Sequence, residues 1–137
     1  MSTLAKPCRH NPCLNPAGYR IAQVRVVFTL AAKAHAAAFP TNYNGPQHLA
    51  YIEWFTPFPA AAEPDHLMYK VLRSYRTGTR HRAFAVIPVD NIRRSVHLFP
   101  AFGAVAPRHW TSANVLERCD RFYVSSFLDR HNYITVY

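Results

Sequence analysis

Acidic side chains are scarce in this chain. Seven Asp and Glu stand against sixteen Lys and Arg, a formal net charge of +9. The deficit leaves few carboxylates for converging acid or metal chemistry and favours a polyanionic partner, most simply nucleic acid. A GC-rich genome gives the same bias without selection for binding, because arginine, alanine and proline all rise together. Glycine is also rare, at four residues, and no GxGxxG or Walker-type phosphate loop can be written with them. Cysteine is limited to Cys8, Cys13 and Cys119. An odd number argues against a secreted disulfide scaffold, and reduced thiols in the cytosol or nucleus are expected. No apolar run approaches the ~20 residues of a membrane span, and MSTLAKPCRHNPC lacks the apolar region of a signal peptide. What the chain does have is hydrophobic bulk: half of its 137 residues are hydrophobic and 14% aromatic, enough for one real core.

Residues 1–18 contain three prolines and no periodic pattern, which predicts a flexible N-terminal arm ahead of a single domain over 19–137. RIAQVRVVFTL alternates as a half-buried strand, with Ala22, Val24, Val26, Phe28 and Leu30 expected inward. AAKAHAAAF is helix-prone and stops before Pro40. HLAYIEWFTPF is a second strand, with Tyr51, Glu53 and Phe55 on one face and Ile52 and Trp54 on the other. Met68 to Val89 reads as a β-hairpin turning at Gly78. In VIPVDNIRRSVHLFP, Asp90 is expected to cap a helical or 3₁₀ turn over NIRR. That stretch then forms a corner that anchors Ile92, Val96 and Leu98 and exposes Arg93 and Arg94. TSANVLERC is a short helix with Asn114 and Glu117 at capping-box spacing and Thr111 or Ser112 as alternative caps, and RFYVSSFLD and NYITVY are further strands. About six short strands without long intervening helices exclude parallel α/β. They predict a mainly β fold: a small, partly open antiparallel barrel of SH3 or bromo-adjacent-homology type with two or three short helical inserts.

The best binding feature is RSYRTGTRHR, in which Arg73, Arg76, Arg80 and Arg82 surround a turn and Tyr75 is interleaved. Guanidinium forks match phosphate oxygens and a tyrosine can stack on a base; a solvated basic hairpin guarding a sheet edge would read the same way. Tyr51, Trp54, Phe55 and Phe58 offer an aromatic surface for a protein partner or a methyl-lysine cage, although alternating aromatics in a strand usually build core. Cys8, His10 and Cys13 have metal-ligand character but lack a second ligand pair, so no metal or other cofactor is expected. No nucleophile elbow and no supported carboxylate pair appears, so neither catalytic residues nor a small-molecule substrate is expected.

Four stretches carry a resemblance: HLAYIEWFTPF, MYKVLRS, VIPVDNIRRSVHLFPAFG, and WTSANVLERCDRFYVSSFLDRHNYITVY. Together they resemble the C-terminal segment of basidiomycete transposon-encoded proteins of the Plavaka and KDZ transposase type. The likeness runs from about Gln23 to Tyr137, is most specific over Val86–Gly103 and Trp110–His131, and departs at Ser125, where asparagine is expected. It implies a nuclear, fungal, mobile-element-derived accessory domain whose catalytic core would lie upstream, on a ribonuclease-H-like fold that nothing here matches. No functional residue is carried over from the resemblance to this segment. A looser likeness in layout is to bromo-adjacent homology domains, with Arg94 and Ser95 standing where those domains carry a glycine–cysteine pair. The expected function is therefore a non-catalytic nucleic-acid- or chromatin-binding accessory domain, nuclear or alternatively cytoplasmic, that uses Arg73, Tyr75, Arg76, Arg80, Arg82, Arg93 and Arg94. The alternatives are a protein-interaction module using Tyr51, Trp54, Phe55 and Phe58, or a transposase relic without function.

Overall fold

The computed structural model describes residues 2–5, 19–39 and 45–125. In chain order these form β1 (Ser2–Ala5), β2 (Arg20–Thr29), α1 (Ala32–Ala38), β3 (His48–Trp54), β4 (Met68–Leu72) and β5 (Phe84–Pro88). A 3₁₀ turn (Val89–Asn91) follows, then β6 (Ile92–Ser95), β7 (Leu98–Pro100), α2 (Val115–Arg118) and β8 (Arg121–Ser125). The strands make two antiparallel sheets, ordered β5-β3-β2-β1-β6 and β4-β8-β7. The fold is mainly β and partly open, as the sequence predicts.

The first sheet has to curl. β5 and β6 are its opposite edges, which in a flat sheet would lie four strand spacings, about 19 Å, apart. Only Val89–Asn91 joins them, and four residue steps reach at most about 14 Å. The sheet therefore coils until its edges approach, as a barrel does, but β5 and β6 are not paired and the curl stays open. Its inside holds one core: Ala5, Ala22, Ala50, Ile52, Trp54 and Ile87, with Val24, Ala85 and Ile92 packed against them. A second core lies where the smaller sheet covers the outer face: Ile21, Phe55, Val71, Cys119, Phe122 and Val124, with Val96 and Leu98 against it. Phe55 and Phe122 meet edge to face at 5.5 Å, a contact worth about 0.5–1.5 kcal/mol beyond burial. The corner at Arg93 and Arg94 is as expected: both are exposed, while Ile92 packs on the first core and Val96 and Leu98 on the second.

Several expectations are corrected. Ser2–Ala5, read as part of a loose arm, is a strand between β2 and β6, with Thr3 and Ala5 fully buried. Four residues are too few to show a period, and their strand character is set by two partners far along the chain. Residues 6–18, with Cys8, His10 and Cys13, lie outside the described residues, as does NYITVY. The inward parity of β2 fails after Val24, where a bulge shifts its register against β3, so that Val26 is 50% exposed. Before the bulge both faces are covered, and Ile21, Ala22 and Gln23 are all buried. The Met68–Val89 hairpin forms only at its tip. Arg76 N–H donates to His81 O, Ala83 N–H donates to Ser74 O, and Gly78 takes φ +73° in the Arg76–Thr79 turn. Its arms then part, β4 pairing with β8 and β5 with β3. Neither Asp90 nor Asn114 makes a side-chain cap: the 3₁₀ turn begins at Val89, before NIRR, and the Asn114 side chain ties back to Thr111 and His109.

Candidate functional site

The basic hairpin leaves the body of the protein just past the end of β3, where Phe55 bridges Arg73. Trp54 O accepts from Ser74 N–H, Trp54 N–H donates to Ala83 O, and Arg73 N–H donates to Asp120 O. These bonds fix both roots of the hairpin and turn their side chains inward, beneath the exposed tip. Arg73 is consequently not a surface residue. Its side chain is 1% exposed, its guanidinium lies 4.8 Å from the Phe55 ring centre and 5.8 Å from that of Phe122, and Nη1 donates to Gln23 Oε1 at 2.7 Å. Burial, with help from the charge of Arg82, lowers its pKa, but an arginine remains protonated throughout the physiological range. Arg82 is half-buried and binds Glu53 Oε2 at 2.8 Å and Glu117 Oε2 at 3.1 Å. Arg25 pairs closely with Glu117 and lies 3.8 Å from Glu53.

Gln23, Arg25 and Glu53 are charged or polar residues on one face of otherwise apolar strands. This is the signal in the sequence that a buried network, rather than a solvated face, occupies the junction. Two of the four hairpin arginines are therefore internal partners of the only two described carboxylates that converge.

Glu117, read as a helix cap, is the outer end of this network. Its partial burial acts to raise the carboxyl pKa, but the hydrogen bond from Arg25 and the charges of Arg82 and Arg25 outweigh it and hold the group below its ordinary 4.5. A carboxyl with a lowered folded pKa stabilises fully above its unfolded value and loses that contribution as pH falls through the folded one. Urea unfolding midpoints should therefore separate the wild type from Glu117→Gln more at pH 7 than at pH 3. Parallel acid limbs for the two proteins would show that this pairing is not a source of acid sensitivity.

The remaining predicted residues divide by place. Arg76 and Arg80 lie exposed at the hairpin tip, and neither makes an ion pair among the described residues. Tyr75 is 47% exposed and its hydroxyl donates to Asp120 Oδ1 at 3.2 Å. Partial burial and the Asp120 charge raise its pKa. Arg93, 5.9 Å over the Tyr19 ring, and Arg94, whose carbonyl accepts from Thr3 Oγ1 at 2.6 Å, sit on the opposite edge of the sheet. The seven residues do not form one patch.

The aromatic group is divided too. Trp54 and Phe55 are buried in the two cores and Phe58 packs on Tyr69, so the surface expected over Tyr51–Phe58 is not there. Only Tyr51 reaches the open part of the outer face. There it meets a residue the sequence reading missed: Phe84, at 5.4 Å between ring centres and 47% exposed. Register places Val26, Tyr51 and Val86 side by side across β2, β3 and β5. The signal was present in FAVIP, where Phe84 and Val86 share the parity opposite Ala85 and Ile87. Arg76 lies 5.7 Å over the Phe84 ring, and a shallow depression of about 350 Å³ is lined by Arg76, Ala83 and Phe84. The arrangement joins an exposed ring, an adjacent apolar strip and unneutralised guanidinium groups.

Among the described residues no three His, Cys, Asp or Glu come together as a metal site, and no helix is long and apolar enough to cross a membrane. Cys119 is buried, its thiol donating to Arg121 O at 2.8 Å. No family model, no curated protein and no solved structure matches this chain.

Proposed function

We propose that this chain is a non-catalytic nucleic-acid- or chromatin-binding domain, derived from a transposon-encoded fungal protein and acting in the nucleus. The observation that carries the reading is the charge distribution around the hairpin. Glu53 and Glu117 are taken up by Arg25, Arg73 and Arg82, and Glu63 by Lys70 and His66. The exposed Arg76 and Arg80 are therefore left without a carboxylate partner among the described residues. Such groups attract a phosphate backbone and release its counterions on contact. The same pairing favours a non-catalytic role, because carboxylates held by three arginines are poorly placed to gather divalent cations. The transposase origin and the nuclear location rest on the sequence resemblance.

The test is binding of the purified chain to labelled duplex DNA and single-stranded RNA across a salt series. Arg76→Ala/Arg80→Ala and Arg93→Ala/Arg94→Ala are the variants to compare, since neither removes a member of the buried network. Each arginine that contacts phosphate contributes roughly one unit to the slope of log affinity against log salt. The tip variant should therefore bind more weakly to every sequence, with a slope shallower by about two. Absence of binding by the folded wild-type chain at low salt would sink the proposal.

A further inference from the structure

We infer that the nucleic acid taken by this domain is single-stranded, and that a base stacks on Phe84 under the guanidinium of Arg76. The inference rests on the nucleic-acid reading above. A duplex hides its base faces and is held mainly by phosphate contacts, for which arginines at a hairpin tip suffice and an exposed ring does not. Here the unneutralised guanidinium and the exposed ring are combined at one place. Phe84 is 47% exposed, is braced from one side by Tyr51 at 5.4 Å, and borders the depression shared with Arg76 and Ala83.

A base inserted between ring and guanidinium needs two contact layers of roughly 3.5 Å each, against the 5.7 Å present. Arg76 has to swing outward from its present place over the ring to admit it. It is exposed and makes no ion pair among the described residues, so it is free to do so. Aromatic rings beside basic side chains are the recurrent means of binding unpaired strands. The strip Val26–Tyr51–Val86 continues the apolar surface for a neighbouring base or sugar.

Charge and the β5 edge decide against the other occupants. A methylated lysine would meet Arg76 over the same ring, where its charge is repelled. A second copy pairing along the open edge of β5 would have to accept Pro88 in a strand of five residues, and proline on a short edge strand blunts such pairing.

The experiment is fluorescence-anisotropy titration with four probes of equal length: a single-stranded DNA, the same sequence as RNA, its DNA duplex, and an abasic strand with the same phosphates. The wild type should bind both base-bearing single strands about tenfold or more above the abasic strand, and Phe84→Ala should abolish that margin while leaving duplex and abasic binding unchanged. Phe84→Leu keeps an apolar side chain at a half-exposed site without a π face, and should lose nearly as much as alanine. Arg76→Ala should weaken all four probes. Base-bearing and abasic strands bound alike, or Phe84→Leu binding as the wild type, would overturn the stacking inference while leaving phosphate binding intact. Failure of a folded wild type to bind any probe would overturn both. A concentration-dependent dimer lost in Phe84→Ala, with single strands bound no better than the abasic probe, would assign the face to self-association instead.

Discussion

Replacing Arg73 with alanine is expected to lower stability by about 2–5 kcal/mol, the range for truncating a large buried side chain and leaving a cavity. The side chain is 1% exposed and its guanidinium packs against both Phe55 and Phe122. Alanine leaves Gln23 without its 2.7 Å donor and opens a cavity against two rings. Arg73→Met separates packing from charge. Nε and Nη2 of Arg73 have no hydrogen-bond partner, so two desolvated donors disappear at no loss. Glu53 is not orphaned either, because Arg82 holds it at 2.8 Å. Methionine, like alanine, leaves Gln23 Oε1 without its donor but keeps the packing, so this variant should lose no more than about 1–3 kcal/mol, less than alanine, and keep its affinity for nucleic acid. Urea titration, read at constant slope, measures both. An alanine variant within about 0.5 kcal/mol of the wild type would behave as a surface substitution does and would return Arg73 to the solvated hairpin. Removing all four hairpin arginines together would not test binding, since lost binding would then report unfolding.

Arg73 also marks the limit of what can be read from the chain. Strand positions, α1, the turn at Gly78 and the corner at Arg93 are legible because each is written in local pattern: alternation, alanine content, a glycine, a proline. Pairing is not local. β4 and β5 are close in sequence and joined by a turn, the ordinary recipe for a hairpin, yet each finds its partner elsewhere, β4 about 50 residues downstream and β5 about 35 upstream. Burial is legible only where one face is covered. Where the smaller sheet lies on the outer face of the first, Gln23 and Arg73 become interior and a period-2 reading assigns them to solvent. The bulge at Arg25 then exchanges the two faces of β2 and lays Val26 open beside Tyr51. The candidate site depends on pairing too, with Arg76 of the hairpin tip brought over Phe84, the first residue of β5.

Deleting residues 1–5 is expected to abolish cooperative unfolding altogether. Among the described strands β1 is the one that lies between β2 and β6. Its loss strips the ladder bonds from both neighbours and removes Ala5 from the first core. It also takes away two ties to the far end of the corner: Thr3 Oγ1 to Arg94 O at 2.6 Å and Val96 N–H to Ser2 O at 3.1 Å. Each backbone bond contributes about 1 kcal/mol net, and a domain of this size has only about 5–15 kcal/mol in total, so one strand with its core residue is a large share of the whole. Two new open edges also appear, on β2 and β6, and open edges recruit other chains. The truncated protein should be aggregation-prone, without a sharp thermal transition in far-UV circular dichroism. Ala5→Glu makes the point without shortening the chain. A carboxylate placed at a site with no solvent exposure is left unpaired and should cost several kcal/mol. A chain beginning at residue 6 that melts sharply at the wild-type temperature would show instead that the sheet closes on β2 without β1, and that the first residues are the loose arm their sequence suggests.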